Sequence, residues 1–501
     1  MRNWKHANRA SAIAGTLALL LAQGCTVGPH YHAPAPPAIT TYTPQPQPSQ
    51  TVSSQGTAGA AQALSAAGDV PAQWWTLFHS PELNDMVQKA LASSPTLEEA
   101  TARRKEAQEE LNARRGATKY PTVSGSASVE QEQPNLSAYG IPFPNPSPFT
   151  LLTGSVSVSY ALDIFGANRH LIEGLQAERD YQAWQLEGAR LMLAGNVVAA
   201  AVEQAELREQ IELTGQMIAI EEKELKIVEQ RYEAGGVADY DVRSQRTLVA
   251  QARAGLPALQ ERLDAVNDQL AVLMGTSSAE AKVPALSLAS LHLPEELPVS
   301  LPSALVRQRP DIRAAEALLR QASANVGVAT ANLYPQIELS GSGGAIGTSF
   351  VSGGDLWNVG AWLTQPIYNG GELRAEKRKA EAAYQEAEGV YRQTVLQAFQ
   401  QVADTLYAIE HDAQAVQART DAVASAEASY KIASARLGAG GISQLATLDA
   451  ERQQLETALD RSAAAAARYS DSAMLFEALG GGWWNNAAQT SPTPKPAGGT
   501  Q

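Results

Sequence analysis

The charged side chains whose spacing could support chemistry lie beside two copies of an Ala-Gly-Gly tripeptide. Arg231 precedes the first copy, and Arg436 precedes the second at the matching position. Asp239 and Asp241 follow the first copy. Guanidinium groups form strong, charge-assisted hydrogen bonds with carboxylates. The two arginines could therefore tie neighbouring chain segments together, and the alternative is that they are ordinary solvent-exposed helix residues.

Elsewhere the sequence shows no arrangement typical of catalysis or of metal binding. The 7 histidines are scattered, and there is no His-Glu-x-x-His, no Gly-rich phosphate loop and no cysteine pair. We therefore expect no enzymatic activity, no metal site and no cofactor. The net charge of −14 argues against a nucleic-acid partner, because phosphate binding needs clustered Lys and Arg.

The amino terminus predicts a secretory signal that ends in a lipid attachment site. Residues 1–24 combine a basic start, an apolar run too short to span a bilayer, and Gly before the cut. Cys25 is the only cysteine, and as a bacterial lipoprotein acceptor it would carry covalent lipid that anchors the chain. Ala22 and Gln23 depart from the usual spacing, so an ordinary cleavage site is the alternative. Thr26 favours sorting to the outer membrane.

Residues 25–70 are rich in Pro, Gln, Ser and Thr. This composition predicts a lipidated, extended tether with too little apolar content to fold alone. The last residues, 485–501, predict a disordered tail.

The rest of the chain is a duplication. Residues 234–237 (Ala-Gly-Gly-Val) match residues 439–442 (Ala-Gly-Gly-Ile), and the same offset of 205 residues aligns Gly275 with Gly480. We therefore divide the chain into a first repeat, 71–284, and a second repeat, 285–484. Each repeat reads as a helix, a strand pair and a long helical hairpin.

The strand pairs show a period of two residues. Residues 154–165 alternate Val, Val, Tyr, Leu and Ile with Ser, Ala and Asp, and similar segments lie at 122–130, 335–343 and 356–368. In the last segment Trp357, Val359, Ala361, Leu363 and Ile367 share one face. Such lengths suit strands that cross a bilayer at a tilt. A soluble sandwich is the alternative.

Four strands cannot close a membrane barrel by themselves. Natural barrels need about eight strands or more, and open sheet edges are not tolerated in lipid. The barrel must therefore be shared between copies of the chain, with eight strands from two copies or twelve from three.

Each strand pair is followed by a very long helix. Residues 371–437 contain no proline and would span about 100 Å, and residues 166–233 are equally long. Each helix then turns at Ala-Gly-Gly, where glycine permits a positive φ, and returns to Gly275 or Gly480. These lengths predict coiled-coil packing. Pro257 lies within the first return helix, where it is expected to kink or break it.

Several segments carry a resemblance to a known family. They are "GCTVGPHYHAPAPP", "WWTLFHSPELNDMVQKALASSPTLEEA", "LPSALVRQRPDIRAAEALLRQASANVGVATANLYPQIELSGSGG", "QPIYNGGELRA" and "LGGGWW". In this order they resemble the TolC/OprM outer membrane factors, particularly the NodT-type lipoproteins of RND efflux systems. The resemblance covers about residues 71–484.

The resemblance implies an α+β membrane protein that works as a homotrimer. Twelve strands would form a barrel in the outer membrane of a Gram-negative bacterium, continued by a long α-helical barrel in the periplasm with a mixed equatorial region. The duct would passively export small molecules. It would be closed at the periplasmic tips and opened by a periplasmic adaptor protein and an inner-membrane RND pump.

The resemblance also implies roles for the tip residues. Adaptor docking would involve Gly235, Gly236, Val237, Gly440, Gly441 and Ile442. Asp449 lies in "SQLATLDAER", which resembles the pattern of the pore-facing helix, so in a trimer it would form a ring of three acids that attracts cations and constricts the aperture. Asp239 and Asp241 could add to this ring. A surface position is the alternative for Asp449.

Two other functions remain open at this point. One is a type I protein-secretion duct, and the other is a periplasmic structural or adaptor coiled coil, which would have no barrel strands. The sequence does not indicate the cargo.

Overall fold

The computed structural model describes residues 26–35, 37–65, 68–140, 142–349 and 353–485. The predicted signal segment, the acylation site Cys25 and almost all of the predicted tail 485–501 lie outside these ranges. The chain forms two compact units. Of the described residues, unit 1 comprises those up to Pro34, Arg103–Gln182 and Ala315–Tyr391, and unit 2 comprises those in Ala35–Ala102, in Ala183–Ala314 and from Arg392 to Asn485.

The helices and strands of the described chain follow the order expected for two repeats. They are β1 (Ala63–Ser65), α1 (Pro81–Ser93), α2 (Pro95–Lys119), β2 (Thr122–Glu132), β3 (Phe149–Leu162), α3 (Ala167–Glu233), α4 (Asp239–Leu273), β4 (Glu296–Pro298), α5 (Pro302–Gln308), α6 (Pro310–Ala331), β5 (Gln336–Gly347), β6 (Gly353–Thr364), α7 (Glu372–Gly438) and α8 (Gln444–Ala478). Four of the helices begin with proline, which suits a first helical position because its missing N–H would lack a partner there.

Unit 1 contains a four-stranded antiparallel sheet in the order β2-β3-β5-β6. Strands β3 and β5 belong to different repeats, so their pairing joins the two strand pairs. The register places Ser157 opposite Ser124 and Ser342, and it places Val158 opposite Val123. Successive residues point to opposite faces, so one face is rich in Ser and the other in Val.

The bounds of β6 correct one detail of the predicted strand pattern. This strand ends at Thr364, and Ile367 lies beyond it with its side chain almost fully exposed. Pro366 lies between them, and proline has no N–H to donate to a strand ladder. The face shared by Trp357, Val359 and Leu363 is as the alternation predicts.

The long helices have equal lengths in the two repeats. Helices α3 and α7 have 67 residues each, and the return helices α4 and α8 have 35 each. Among the described residues, no helix combines the length and the apolar character needed to cross a membrane.

Of the two outcomes predicted for Pro257, a kink or a break, the break does not occur, because α4 continues through it. A proline removes one hydrogen bond of the helix and crowds the preceding turn. Ion pairs to α3 hold α4 on both sides of this position, from Arg253 to Glu222 at 2.5 Å and from Arg262 to Glu203 at 2.9 Å.

The core of unit 2 is built around aromatic residues. Trp74 stacks on Phe476 of α8 with ring centroids 5.6 Å apart, and both side chains are buried. Tyr469, also buried, donates a hydrogen bond of 2.7 Å to the carbonyl of Leu291. These contacts fix the carboxyl-terminal part of α8, and α8 reaches from there to the second Ala-Gly-Gly turn.

The segment predicted as an extended tether packs onto unit 2 over residues 51–65. Arg468 of α8 is fully buried and donates hydrogen bonds to the carbonyls of Ala58 and Ala60 and to the hydroxyl of Thr51. Strand β1 pairs in parallel with β4. The segment contacts the unit through backbone carbonyls and polar side chains, so its low apolar content does not prevent it from packing.

Candidate functional site at the hairpin tips

The first Ala-Gly-Gly sequence ends α3 with a tight glycine turn. Gly235 has a φ of +72°, which glycine adopts without strain. The N–H of Gly236 donates to the carbonyl of Arg231 at 2.7 Å, and the N–H of Gly235 donates to the carbonyl of Tyr232 at 2.9 Å. This pair of bonds is a Schellman motif, and it satisfies carbonyls that the end of the helix leaves unpaired.

The second Ala-Gly-Gly sequence ends α7 in the same way. Gly440 has a φ of +71°, Gly441 donates to the carbonyl of Arg436 at 2.8 Å, and Gly440 donates to that of Leu437 at 3.0 Å. All four tip glycines are exposed, whereas the following β-branched residues, Val237 and Ile442, are partly buried. The repeated sequence therefore forms the same turn at both tips.

The acids after the first turn belong to the start of α4. Asp241 accepts a hydrogen bond of 2.9 Å from the N–H of Ala238, and Asp239 forms an ion pair of 2.6 Å with Arg243. Acidic residues are favourable in the first turn of a helix because they oppose its dipole. At the second tip the helix start is capped differently, because the hydroxyl of Ser443 accepts from the N–H of Ala446.

Asp449 is exposed and pairs with an arginine on its own helix. Its carboxylate lies 2.5 Å from the guanidinium of Arg452, and 69% of its side chain is accessible. Arg452 also contacts Glu456 at 2.8 Å, and its Nε lies 3.9 Å from Glu221 of α3. Arg452 therefore connects the second hairpin to the first.

A glutamine of α4 completes this connection. Gln245 donates hydrogen bonds to Glu221 at 2.7 Å and to Glu224 at 3.2 Å. We call the six residues Glu221, Glu224, Gln245, Asp449, Arg452 and Glu456 the tip network. It contains four carboxyl groups and one guanidinium, so its charge is negative when all are ionised.

Local electrostatics follow from this composition. Burial, with the charge of Glu221 adding to it, raises the pKa of Glu224, while Arg452 acts in the opposite direction. The hydrogen bond to Asp449 raises the pKa of Arg452. Arg452 therefore remains charged and is the group that offsets repulsion among the surrounding acids.

Apolar packing supports the same contact between hairpins. Ile220 of α3 packs with Leu448 and Leu455 of α8, and Met217 and Ile227 pack against this cluster. Leu448 immediately precedes Asp449, so the cluster fixes the backbone that carries the exposed carboxylate.

The predicted arginines behave differently from Arg452. Within the described chain, the side chains of Arg231 and Arg436 form no ion pair, and both residues are exposed. Their backbone carbonyls receive the tip hydrogen bonds instead.

The sequence shows the spacing of Asp449, Arg452 and Glu456 on one helix face, but nothing in it places Glu221 opposite Arg452. Among the described residues, no three His, Cys, Asp or Glu side chains are grouped as metal ligands would be.

Comparison with known proteins gives the class of this chain. The profile of the family described as "Outer membrane efflux protein" matches residues 86–276 and 301–481, so each match contains one tip. The pyoverdine export outer membrane protein OpmQ of Pseudomonas aeruginosa is 32% identical over 431 residues, which are 82% of this chain and 87% of OpmQ.

Two further comparisons extend over most of the chain. The toluene efflux pump outer membrane protein TtgC of Pseudomonas putida is 28% identical over 93% of this chain and 95% of TtgC. The solved structure of the outer-membrane channel OprN superposes with a TM-score of 0.79 at 26% identity, covering 92% of this chain and 100% of the OprN chain.

The fold and these similarities define an outer-membrane channel that projects into the periplasm. Its role is transport. The chain belongs to the outer membrane efflux protein family, and the resemblance to TolC/OprM-type channels that the sequence motifs carry is confirmed.

Proposed function

We propose that three copies of this chain form the exit duct of a tripartite RND-type efflux pump. The observation that carries the proposal is that one chain combines two hairpin tips that have matching turns with a sheet that has two open edges. Strands β2 and β6 each have a neighbour on one side only, and β2 is exposed along its whole length. Twelve strands from three copies would pair these edges.

The tips provide the surface that the periplasmic adaptor would contact. The four glycines leave the backbone open, and no side chain covers it at Gly235 or Gly440. Val237 and Ile442 lie beside them and offer apolar contact. Helices of a partner protein could therefore approach the turns closely.

The tip network holds the closed duct in this proposal. Arg452 joins the second hairpin to Glu221 of the first, and Asp449 extends from the same arginine into solvent. Opening would move the hairpins apart and break the contact to Glu221. Asp239, Asp241, Arg231 and Arg436 lie close to the turns, and they could contact a neighbouring copy.

The amino terminus adds a lipid anchor to this arrangement. Cys25 would carry covalent lipid, which places the start of the mature chain at the outer membrane. No other cofactor is part of the proposal. The relatives export different compounds by name, so the cargo of this duct is left open.

The experiment that tests the gate is conductance of the purified protein in planar bilayers. The contact of Arg452 with Glu221 is an ion pair at 3.9 Å, and ion pairs between partly exposed groups contribute up to about 1 kcal/mol. Arg452 is partly exposed, so we expect Arg452→Gln to raise the open fraction only several-fold. Asp449→Asn should have a smaller effect in the same direction, because it leaves the contact from Arg452 to Glu221 in place.

The matched control is Arg419→Gln. Arg419 pairs with Asp460 at 2.5 Å, which joins α7 to α8 within one hairpin and does not involve the other. This variant should conduct like the wild type. Absence of conductance in all variants would contradict a gated duct, and equal opening by Arg419→Gln would contradict the role assigned to Arg452.

A further inference from the structure

The internal duplication shows how one edge of the sheet fits the other edge of a second copy. Strands β2 and β5 are the first strands of the two strand pairs, and β3 and β6 are the second strands. Inside the chain, the second strand of the first repeat, β3, pairs with the first strand of the second repeat, β5. The edge strands β6 and β2 are the remaining second and first strands. The β3–β5 contact therefore predicts how β6 meets β2 of another copy.

Equivalent residues of the two repeats follow from the registers of the strand pairs. A Tyr-Pro sequence precedes each first strand, so Thr122 of β2 corresponds to Gln336 of β5. Thr122 lies opposite Ser159 in the first pair, and Gln336 lies opposite Thr364 in the second. Ser159 of β3 therefore corresponds to Thr364 of β6. The same offset carries the first residue of α3 onto the first residue of α7.

The pairing between the repeats then gives the register between copies. Ser159 lies opposite Ser340 of β5. Ser340 is the fifth residue after the Tyr-Pro sequence of its repeat, and the fifth residue after the Tyr-Pro sequence of the first repeat is Ser126. Thr364 of one copy is therefore expected opposite Ser126 of the next, in an antiparallel pair like that of β3 and β5.

The two faces of the sheet provide a check on this register. Ser126 and Thr364 both lie on the Ser-rich face, and on the other face the register places Leu363 opposite Ala127. A shift of one residue would place Leu363 opposite Ser126 or Ser128, because neighbouring residues of a strand point to opposite faces. The register from the duplication thus joins each face of one copy to the same face of the next.

An aromatic contact at one end of the sheet follows the same rule. Phe165, between β3 and α3, stacks on Tyr334 of the second Tyr-Pro sequence with ring centroids 4.8 Å apart. The aromatic residue between β6 and α7 is Tyr368, which is 90% exposed, and the first Tyr-Pro sequence contributes Tyr120, which is 60% exposed. These two rings lie at opposite edges of the sheet of one chain, so a neighbouring copy is needed to bring them together.

We propose that β6 of one copy pairs with β2 of the next in this register, with Thr364 opposite Ser126 and Tyr368 against Tyr120. The proposal rests on the assembly of three copies proposed above, and it specifies the contact that closes the barrel. The seam between two copies then repeats the β3–β5 contact inside each chain, so every junction between strand pairs has the same geometry.

The test is disulfide trapping in outer membranes that contain the full-length protein. Cys25 is the sole native cysteine, so Thr364→Cys with Ser126→Cys adds one reactive pair at each seam. Directly opposite Cβ atoms lie roughly 4.5–5.5 Å apart and diagonal ones roughly 7–8 Å, whereas a disulfide needs roughly 3.5–4.5 Å. After mild oxidation, we expect several-fold more covalent trimer on non-reducing gels from this pair than from Thr364→Cys with Ser128→Cys, which is shifted by two residues on the same face.

Two controls complete the experiment. Ser159→Cys with Ser340→Cys places the equivalent pair inside one chain, and it should form an intramolecular disulfide to a similar extent. Thr364→Cys alone should give no covalent trimer, which excludes cross-linking through Cys25. More covalent trimer from the shifted pair would overturn the register and leave the assembly of three copies intact. If the internal pair oxidises and no pair between copies yields more than a dimer, the seam and the three-copy assembly are both wrong.

Discussion

Two carboxyl groups meet between α7 and α8 in unit 2. Burial raises the pKa of Asp412 to about 7, and a hydrogen bond with Asp471 together with the charge of Asp471 adds to this effect. Arg468 acts in the opposite direction. One oxygen of Asp412 is buried and has no hydrogen-bond partner. A proton on that carboxyl would satisfy it, because the O–H group could donate to Asp471. The pair therefore favours a shared proton.

The pH dependence of stability follows from this shift. The pKa of Asp412 in the unfolded chain is near the ordinary value of 3.8, so the unfolded state loses its proton first as pH rises. The contribution of this group to the free energy of unfolding is therefore most favourable below about pH 4. It declines between about pH 4 and 7 and is constant above that range.

We predict that Asp412→Asn is more stable than the wild type in alkaline medium. The asparagine can hydrogen-bond to Asp471 without adding a charge, so the difference in thermal midpoint should grow from about pH 4 to about pH 7 and then level off. Asp421→Asn, at an exposed position of the same helix, should leave the pH profile unchanged. A constant difference between Asp412→Asn and wild type at all pH values would contradict the shared proton.

At the scale of single elements, α4 tolerates a proline that its sequence pattern argues against. Pro257 is exposed, so its replacement disturbs no packing. Alanine restores an N–H that can donate to the carbonyl of Arg253, and proline is about 3 kcal/mol less favourable than alanine in a helix interior. Part of that gain is offset because proline also restricts the unfolded chain.

We therefore predict that Pro257→Ala raises the thermal midpoint of the purified protein. Conductance should remain that of the wild type, since Pro257 lies outside the tip network. A lower midpoint would show that the helix needs the bend that proline imposes.

The elements were largely predictable from sequence, and the contacts between them were not. The period of the apolar residues and the glycines at the turns predict the ends of α3, α7 and the four sheet strands to within a few residues. They can do so because these signals depend only on neighbouring residues in the sequence. The contact of Arg452 with Glu221 joins residues from different repeats, and it depends on how α3 and α8 pack. Arg468 is a similar case, because two of its partners are the backbone carbonyls of Ala58 and Ala60, which any sequence would supply.

At the scale of the whole molecule, the sheet of one chain is incomplete. Its edge strands leave N–H and C=O groups unpaired, and a membrane provides no water to satisfy them. Its two faces also differ, since Ser126 and Ser155 share a hydrogen bond of 2.9 Å on one face, while Val156 and Val359 lie on the other. The Ser face suits a water-filled lumen and the apolar face suits lipid.

Two neighbouring residues of β6 test this assignment of faces. Val359 is 80% exposed on the apolar face, and Asn358 lies on the Ser face, opposite Ser342. A lysine in the middle of the lipid face costs roughly 2–4 kcal/mol, whereas a lysine in a watery lumen has little such cost. We predict that Val359→Lys reduces the yield of folded protein in outer membranes, measured as a heat-modifiable band on gels, and that Asn358→Lys does not. Equal yields of the two variants would contradict the assignment, because a sheet in water on both sides would accept either lysine.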